Sequence, residues 1–289
     1  MAFGFELTRK TILMTSQRPL VLFTNDDGID SPGLWASAEA FLDIADVLIV
    51  APIEQQSGMG RSLPLYSRGN VVERELTLNG QTITAYGVGG TPAQSVQHGV
   101  YEITERWPAL VVSGINYGEN VGNGVTISGT VGAALEAAAL GIPAIAVSLQ
   151  VPQGLHTSYS REVNFRAAAY FTHLFGELIL SGKSFPDVDV LKIEVPTHAT
   201  SDTPWKLTRV SRKRLFWPTR AQKKHMSEDG TPGYTKLLDP QTAEPDSDIY
   251  AVLHEGVVSV SPMSIDMSSR IDGGSLRAAL DQHLTQPSR

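Results

Sequence analysis

Four strongly apolar runs constrain this chain most: Leu20–Phe23, Val47–Ala51, Ala109–Val112 and Ile142–Leu149. Each is too short for a free-standing helix. None shows the in-out alternation of a strand with one wet face, so each reads as a strand buried on both sides. Helical stretches fall between them. Pro32 opens one that runs to about Ile44 with Leu34, Trp35, Ala38, Phe41 and Leu42 as its apolar positions. Thr91-Pro92 starts another over Ala93 to about Ile103, and Ser128-Gly129-Thr130 precedes an alanine-rich one that reaches Leu140 and stops at Gly141. Gln81–Val88 supplies a further strand. Strand-helix alternation of this kind predicts an α/β fold with a parallel sheet covered on both faces.

The second half is less regular. A helix over Val163–Leu180 and a strand over Val188–Val195 continue the pattern. Thr208 to Lys224 then concentrates Arg209, Arg212, Lys213, Arg214, Arg220, Lys223 and Lys224 around Trp217-Pro218, and turn signals follow at Asp229-Gly230 and Pro232-Gly233. This reads as a projecting hairpin arm, with Phe216 and Trp217 packing on a partner subunit. Asp248–Ala251 and Gly256–Ser261 are expected as strands returning to the body, and Ser275–His283 as a closing helix. The expected division is therefore a tail over 1–18, a catalytic body over 19–200, an arm over 201–247, and returning strands with a C-terminal helix over 248–289.

Composition narrows the chemistry. The net charge of −7 gives no general positive field for nucleic acid, so nucleic-acid binding is not expected, and the basic run reads as a solvated face. The absence of cysteine removes thiolate ligands and a cysteine nucleophile. The seven histidines show no helical zinc spacing. No apolar run approaches about 18 residues and the opening segment has no continuous signal-peptide core, so no membrane association and a cytoplasmic location are expected.

What remains is oxygen chemistry at strand ends, where open α/β sheets bind ligands. Asn25-Asp26-Asp27-Gly28 closes the first strand. A plain turn would also favour these residue types, although a turn explains one carboxylate better than two. Two carboxylates about 4 Å apart repel by about 4 kcal/mol at an effective dielectric near 20, which calls for a cation between them. Ser57-Gly58 after the second strand can add a hydroxyl, and Ser113-Gly114-Ile115-Asn116 at a further strand end can add an amide oxygen. An all-oxygen set selects Mg²⁺ or Mn²⁺ over Zn²⁺. Ser128-Gly129-Thr130 is both an ordinary cap and a place where free N–H groups can receive an anion.

Taken in order, Thr24-Asn25-Asp26-Asp27-Gly28, Ser31-Pro32-Gly33, Val50-Ala51-Pro52 with Gln56-Ser57-Gly58, Gly90-Thr91-Pro92, Val112 to Gly118, and Ser128-Gly129-Thr130-Val131 resemble the SurE family of nucleotidases. Gly256–Pro262 is similar to that family's closing strand. Gln94-Ser95 and Asn123-Gly124 depart from its usual residues, and the second departure bears on loop geometry and substrate preference. The resemblance implies a Rossmann-like three-layer sandwich whose arm is swapped in a homodimer or homotetramer. It implies one divalent cation per subunit, Mg²⁺ or Mn²⁺, on Asp26, Asp27, Ser57 and Asn116, and hydrolysis of nucleoside 5′- and 3′-monophosphates. Asp26 and Asp27 are the expected catalytic residues, and Asn25, Gly58, Asn116, Ser128, Gly129 and Thr130 the expected phosphate-binding ones. A broad acid phosphatase or exopolyphosphatase, and a nucleotide-binding sensor without turnover, stand as the alternatives.

Overall fold

The structure, a computed structural model, describes residues 17–223 and 225–285. The expected tail over 1–18 therefore falls almost wholly outside the described residues. The centre of the molecule is built from β1 (Leu20–Thr24), β5 (Leu110–Tyr117), β6 (Ala144–Leu149) and β7 (Val190–Val195), each buried along its whole length. β2 (Asp46–Pro52) and β4 (Gln81–Val88) extend the sheet on one side. Across it, the order is β3 (Val71–Leu78), β4, β2, β1, β5, β6, β7, β11 (Val258–Met263) and β8 (Trp205–Leu207). The ladders from β4 through β7 are parallel, while β3 and β11 pair antiparallel with β4 and β7.

Side chains leave a strand alternately to its two faces, and here both faces are apolar. Val21 and Phe23 of β1 enter one core with Leu34 and Ala38 of α1 (Pro32–Glu39) and with Ala168, Phe171 and Phe175 of α4 (Arg166–Leu180). Leu22 enters the other, with Val96 of α2 (Pro92–His98) and Val131, Ala134 and Ala137 of α3 (Gly129–Ala139). The result is a helix-sheet-helix sandwich, as the apolar runs require.

Several boundaries differ from expectation. α1 ends at Glu39, because the chain turns and buries Phe41 edge-on against Phe23 at 5.2 Å. β3 has no apolar run to announce it: Glu73, Arg74 and Glu75 lie exposed on the sheet's edge, where charge discourages pairing with another chain. β8 (Trp205–Leu207) falls in the segment expected as arm but pairs with β11, so the hairpin starts later, with β9 (Phe216–Pro218) against β10 (Tyr234–Lys236). Asp248–Ala251, expected as a strand, instead opens a short helix, α5 (Asp248–Tyr250), capped by the Ser247 hydroxyl and continued by a wide turn to Glu255. The closing helix, α6 (Gly273–Thr285), is present.

Candidate active site

β1 stops because Asn25 turns the chain. Its side-chain amide donates to the Gly28 carbonyl and accepts from the Gly28 N–H, both at 3.1 Å, and Gly28 takes φ 104°. Asn25 is fully buried, so this expected phosphate ligand has its amide committed to the turn that presents Asp26 and Asp27.

Asp26 faces the start of α3. Its Oδ1 accepts the Thr130 hydroxyl at 2.5 Å, and the N–H groups of Gly129 and Thr130 also stabilise its charge. Gly129 is required here: a Cβ would lie 2.7 Å from the Asp26 Cβ. Ser128 caps the helix by accepting the Val131 N–H at 3.1 Å. The expected phosphate cradle thus holds an aspartate first, with both hydroxyls engaged. The loop after β2 reaches the same place, since the Gln56 N–H donates to the Asp26 carbonyl at 2.7 Å. That loop carries Ser57 and Gly58, both exposed.

Asp27 faces the end of β5. Its Oδ2 accepts the Tyr117 N–H at 3.2 Å, and its Oδ1 accepts the Gln55 amide at 3.2 Å. The Tyr159 hydroxyl donates to its backbone carbonyl. Next to Tyr117, Asn116 donates its amide to the Gly118 carbonyl at 2.6 Å, so its oxygen is the atom it can offer a cation.

The electrostatics follow from burial. Asp26 and Asp27 are 4% and 1% exposed. Burial raises the pKa of Asp26, against the Thr130 hydroxyl and the helix N–H groups. Burial and then the Asp26 charge push Asp27 well above the usual carboxylate range, against the Tyr117 N–H and the Gln55 amide. Among the described residues neither aspartate joins an ion pair, and no group of three or more acidic or histidine side chains converges to hold a metal. Two buried carboxylates with neutral oxygens at the neighbouring strand ends nevertheless fit a hard divalent cation, whose charge would remove the repulsion.

Sequence reasoning missed the loop that follows β6. The Gln55 amide that holds Asp27 also donates to the His156 carbonyl at 3.1 Å, and Tyr159 reaches the Asp27 backbone. Burial lowers the His156 pKa. Nothing in the spacing from Asp27 to these residues announces the contact, because loops from separate strands create it.

A buried acidic pair at the strand ends of a parallel α/β sheet, braced by a helix N-terminus, stands where open α/β folds bind their ligands. The chain belongs to the SurE family: the model of the survival protein SurE matches residues 21–216. It is 39% identical to the 5′-nucleotidase SurE of Methanosarcina mazei over 88% of this chain and 95% of that protein. It is 38% identical to that of Thermococcus gammatolerans over 90% and 95%. The crystal structure of the SurE protein from Aquifex aeolicus superposes with a TM-score of 0.70 at 32% identity, over 91% of this chain and 100% of that one.

Proposed function

We propose that this protein is a metal-dependent phosphomonoesterase that hydrolyses nucleoside 5′- and 3′-monophosphates, acting in the cytoplasm as a homodimer or homotetramer. The observation that carries the reading is the buried Asp26–Asp27 pair, which has no ionic partner among the described residues and lies where two strand-end loops and a helix N-terminus meet. The names of the relatives support the nucleotide as substrate. Asp26, Asp27, the Ser57 hydroxyl and the Asn116 amide oxygen are the proposed holders of one Mg²⁺ or Mn²⁺. When bound, such a cation supplies Lewis acidity toward a phosphoryl oxygen and lowers the pKa of water.

The chain's own groups do the rest. Either aspartate is placed to accept a proton from the attacking water, and the two adjacent carboxylates titrate as a coupled pair. Thr130 and the α3 N–H groups favour the ionised form of Asp26 against its burial and direct positive field at the phosphate. Gly129 lets the α3 backbone approach Asp26 closely. The test is phosphate release from a panel of nucleoside monophosphates and tripolyphosphate, after chelation and again with Mg²⁺ or Mn²⁺. Metal-restored release led by nucleotides is expected. Release that ignores chelation, or nucleotide binding without release, would sink the reading.

A further inference from the structure

The arm hairpin touches the loop that braces Asp27. Tyr234 of β10 sets its hydroxyl 2.9 Å from the His156 Nδ1, and its backbone carbonyl accepts the Gln153 amide at 2.9 Å. The two rings lie nearly parallel, 17° apart with centroids at 6.2 Å, and Phe216 of β9 stands edge-on to both at 6.2 and 5.4 Å. One face of this aromatic group remains open, with Tyr234 43% exposed. The other side meets the catalytic strand end: the His156 ring packs on Gly118, where a Cβ would lie 2.7 Å from Nε2. Gly118 is two residues beyond Asn116, and the single Gln55 amide spans Asp27 and the His156 carbonyl. Charge on this rim is internally matched, since Lys236 places its Nζ 2.5 Å from the buried Glu119 and 5.4 Å from the Phe216 ring centre.

We propose that His156, Tyr234 and Phe216 form the subsite for the nucleoside half of the substrate, with the nucleobase stacked on the open face of the Tyr234–His156 pair. The inference rests on the nucleotidase reading above. It follows from placement: the His156 ring packs on Gly118, two residues beyond Asn116, and the Gln55 amide bonds both Asp27 and the His156 carbonyl, so an exposed aromatic surface adjoins the loops that carry the acidic pair. Stacking of this kind tolerates any base, so broad use of purine and pyrimidine nucleotides is expected.

The test compares adenylate with glycerol phosphate, which keeps the phosphomonoester and lacks a base, on the full chain and on Tyr234→Leu, Phe216→Leu and Tyr234→Phe. Both leucine variants should lose about tenfold in kcat/KM on adenylate, chiefly through KM, and leave glycerol phosphate unchanged. Tyr234→Phe should stay close to the parent, because the ring remains. Equal losses on both substrates, or no loss on adenylate, would overturn the subsite. Calorimetric titration with adenosine separates this from the reaction itself: binding to the parent that Tyr234→Leu weakens supports the subsite even in a protein that releases no phosphate. Absent or unaltered adenosine binding overturns it.

Discussion

Among the described residues, the buried pair Glu194 and Asp248 carries its own counter-charge, and the buried pair Asp26 and Asp27 does not. Glu194 and Asp248 are fully buried, and the Lys192 ammonium sits between them at 3.2 and 3.0 Å. Their other bonds run to backbone: the Asn120 N–H on Glu194, and the Gly122 and Ser211 N–H groups on Asp248. Burial pulls the Lys192 pKa down, yet Asp248 and Glu194 outweigh it and leave it raised. The cluster ties β7 to the loop after Asn116 and to the root of the arm. Asp26 and Asp27 have comparable burial and backbone support but no ammonium. A completed ion cluster fastens elements together, whereas an acidic pair without an ammonium is the proposed seat of the cation.

Replacing an aspartate separates the two most strongly. Asp27→Asn should lower kcat by more than about a hundredfold, since even groups supporting a metal ligand cost 10- to 100-fold. The metal-free variant should melt no lower than its parent, because one of two repelling charges is gone. Full turnover in Asp27→Asn would break the comparison. Lys192→Met should do the reverse, costing about 3–5 kcal/mol by leaving two buried carboxylates unpaired. Denaturant unfolding measures it, and an unchanged midpoint would show that the ammonium is not needed.

Metal addition comes next in size. Mn²⁺ at a hundred times its dissociation constant should stabilise the chain by about 2.7 kcal/mol, read as a rise in Tm that Asp27→Asn abolishes. Thr130→Val should be milder. It removes the hydroxyl from Asp26 while Ser128 still caps α3, so metal affinity should fall about tenfold with the helix intact by circular dichroism.

The smallest effect is on pH dependence. Burial, and then the Asp248 charge, raise Glu194 from 4.5 to about 7, while Lys192 and the Asn120 N–H hold it down. A carboxyl group raised on folding contributes stability below its unfolded value and loses it as pH climbs through the folded one. Asp26 and Asp27 act in the same direction. Metal-free protein should therefore lose stability between about pH 4.5 and 7, with Glu194→Gln flattening one part of the slope and metal the other. A Tm that rises across this range would contradict the burial argument.

The central strands were legible because a strand buried on both faces must be apolar throughout, as Val21, Leu22 and Phe23 are. The acidic pair was legible because Asp26 and Asp27 follow such a strand directly. β3 was not, since an edge strand with Glu73, Arg74 and Glu75 outward carries a loop's composition. Asp248 was read as the start of a strand because Ile249, Tyr250 and Ala251 are apolar, while its helical start depends on the Ser247 cap and on Lys192 receiving its carboxylate.

The sequence by itself determined the layers, the buried strands, and the two carboxylates at the end of the first, because each follows from residues adjacent in the chain. Only the tertiary structure decided that Thr130 would hold Asp26, that Gln55 and Tyr159 would hold Asp27, that Lys192 would neutralise one acidic pair and leave the other bare, and that the arm's Tyr234 would meet His156. The longest of those pairings, Tyr234–His156, Thr130–Asp26 and Tyr159–Asp27, join residues 78, 104 and 132 positions apart, and burial sets their energies, which no local pattern of residues encodes.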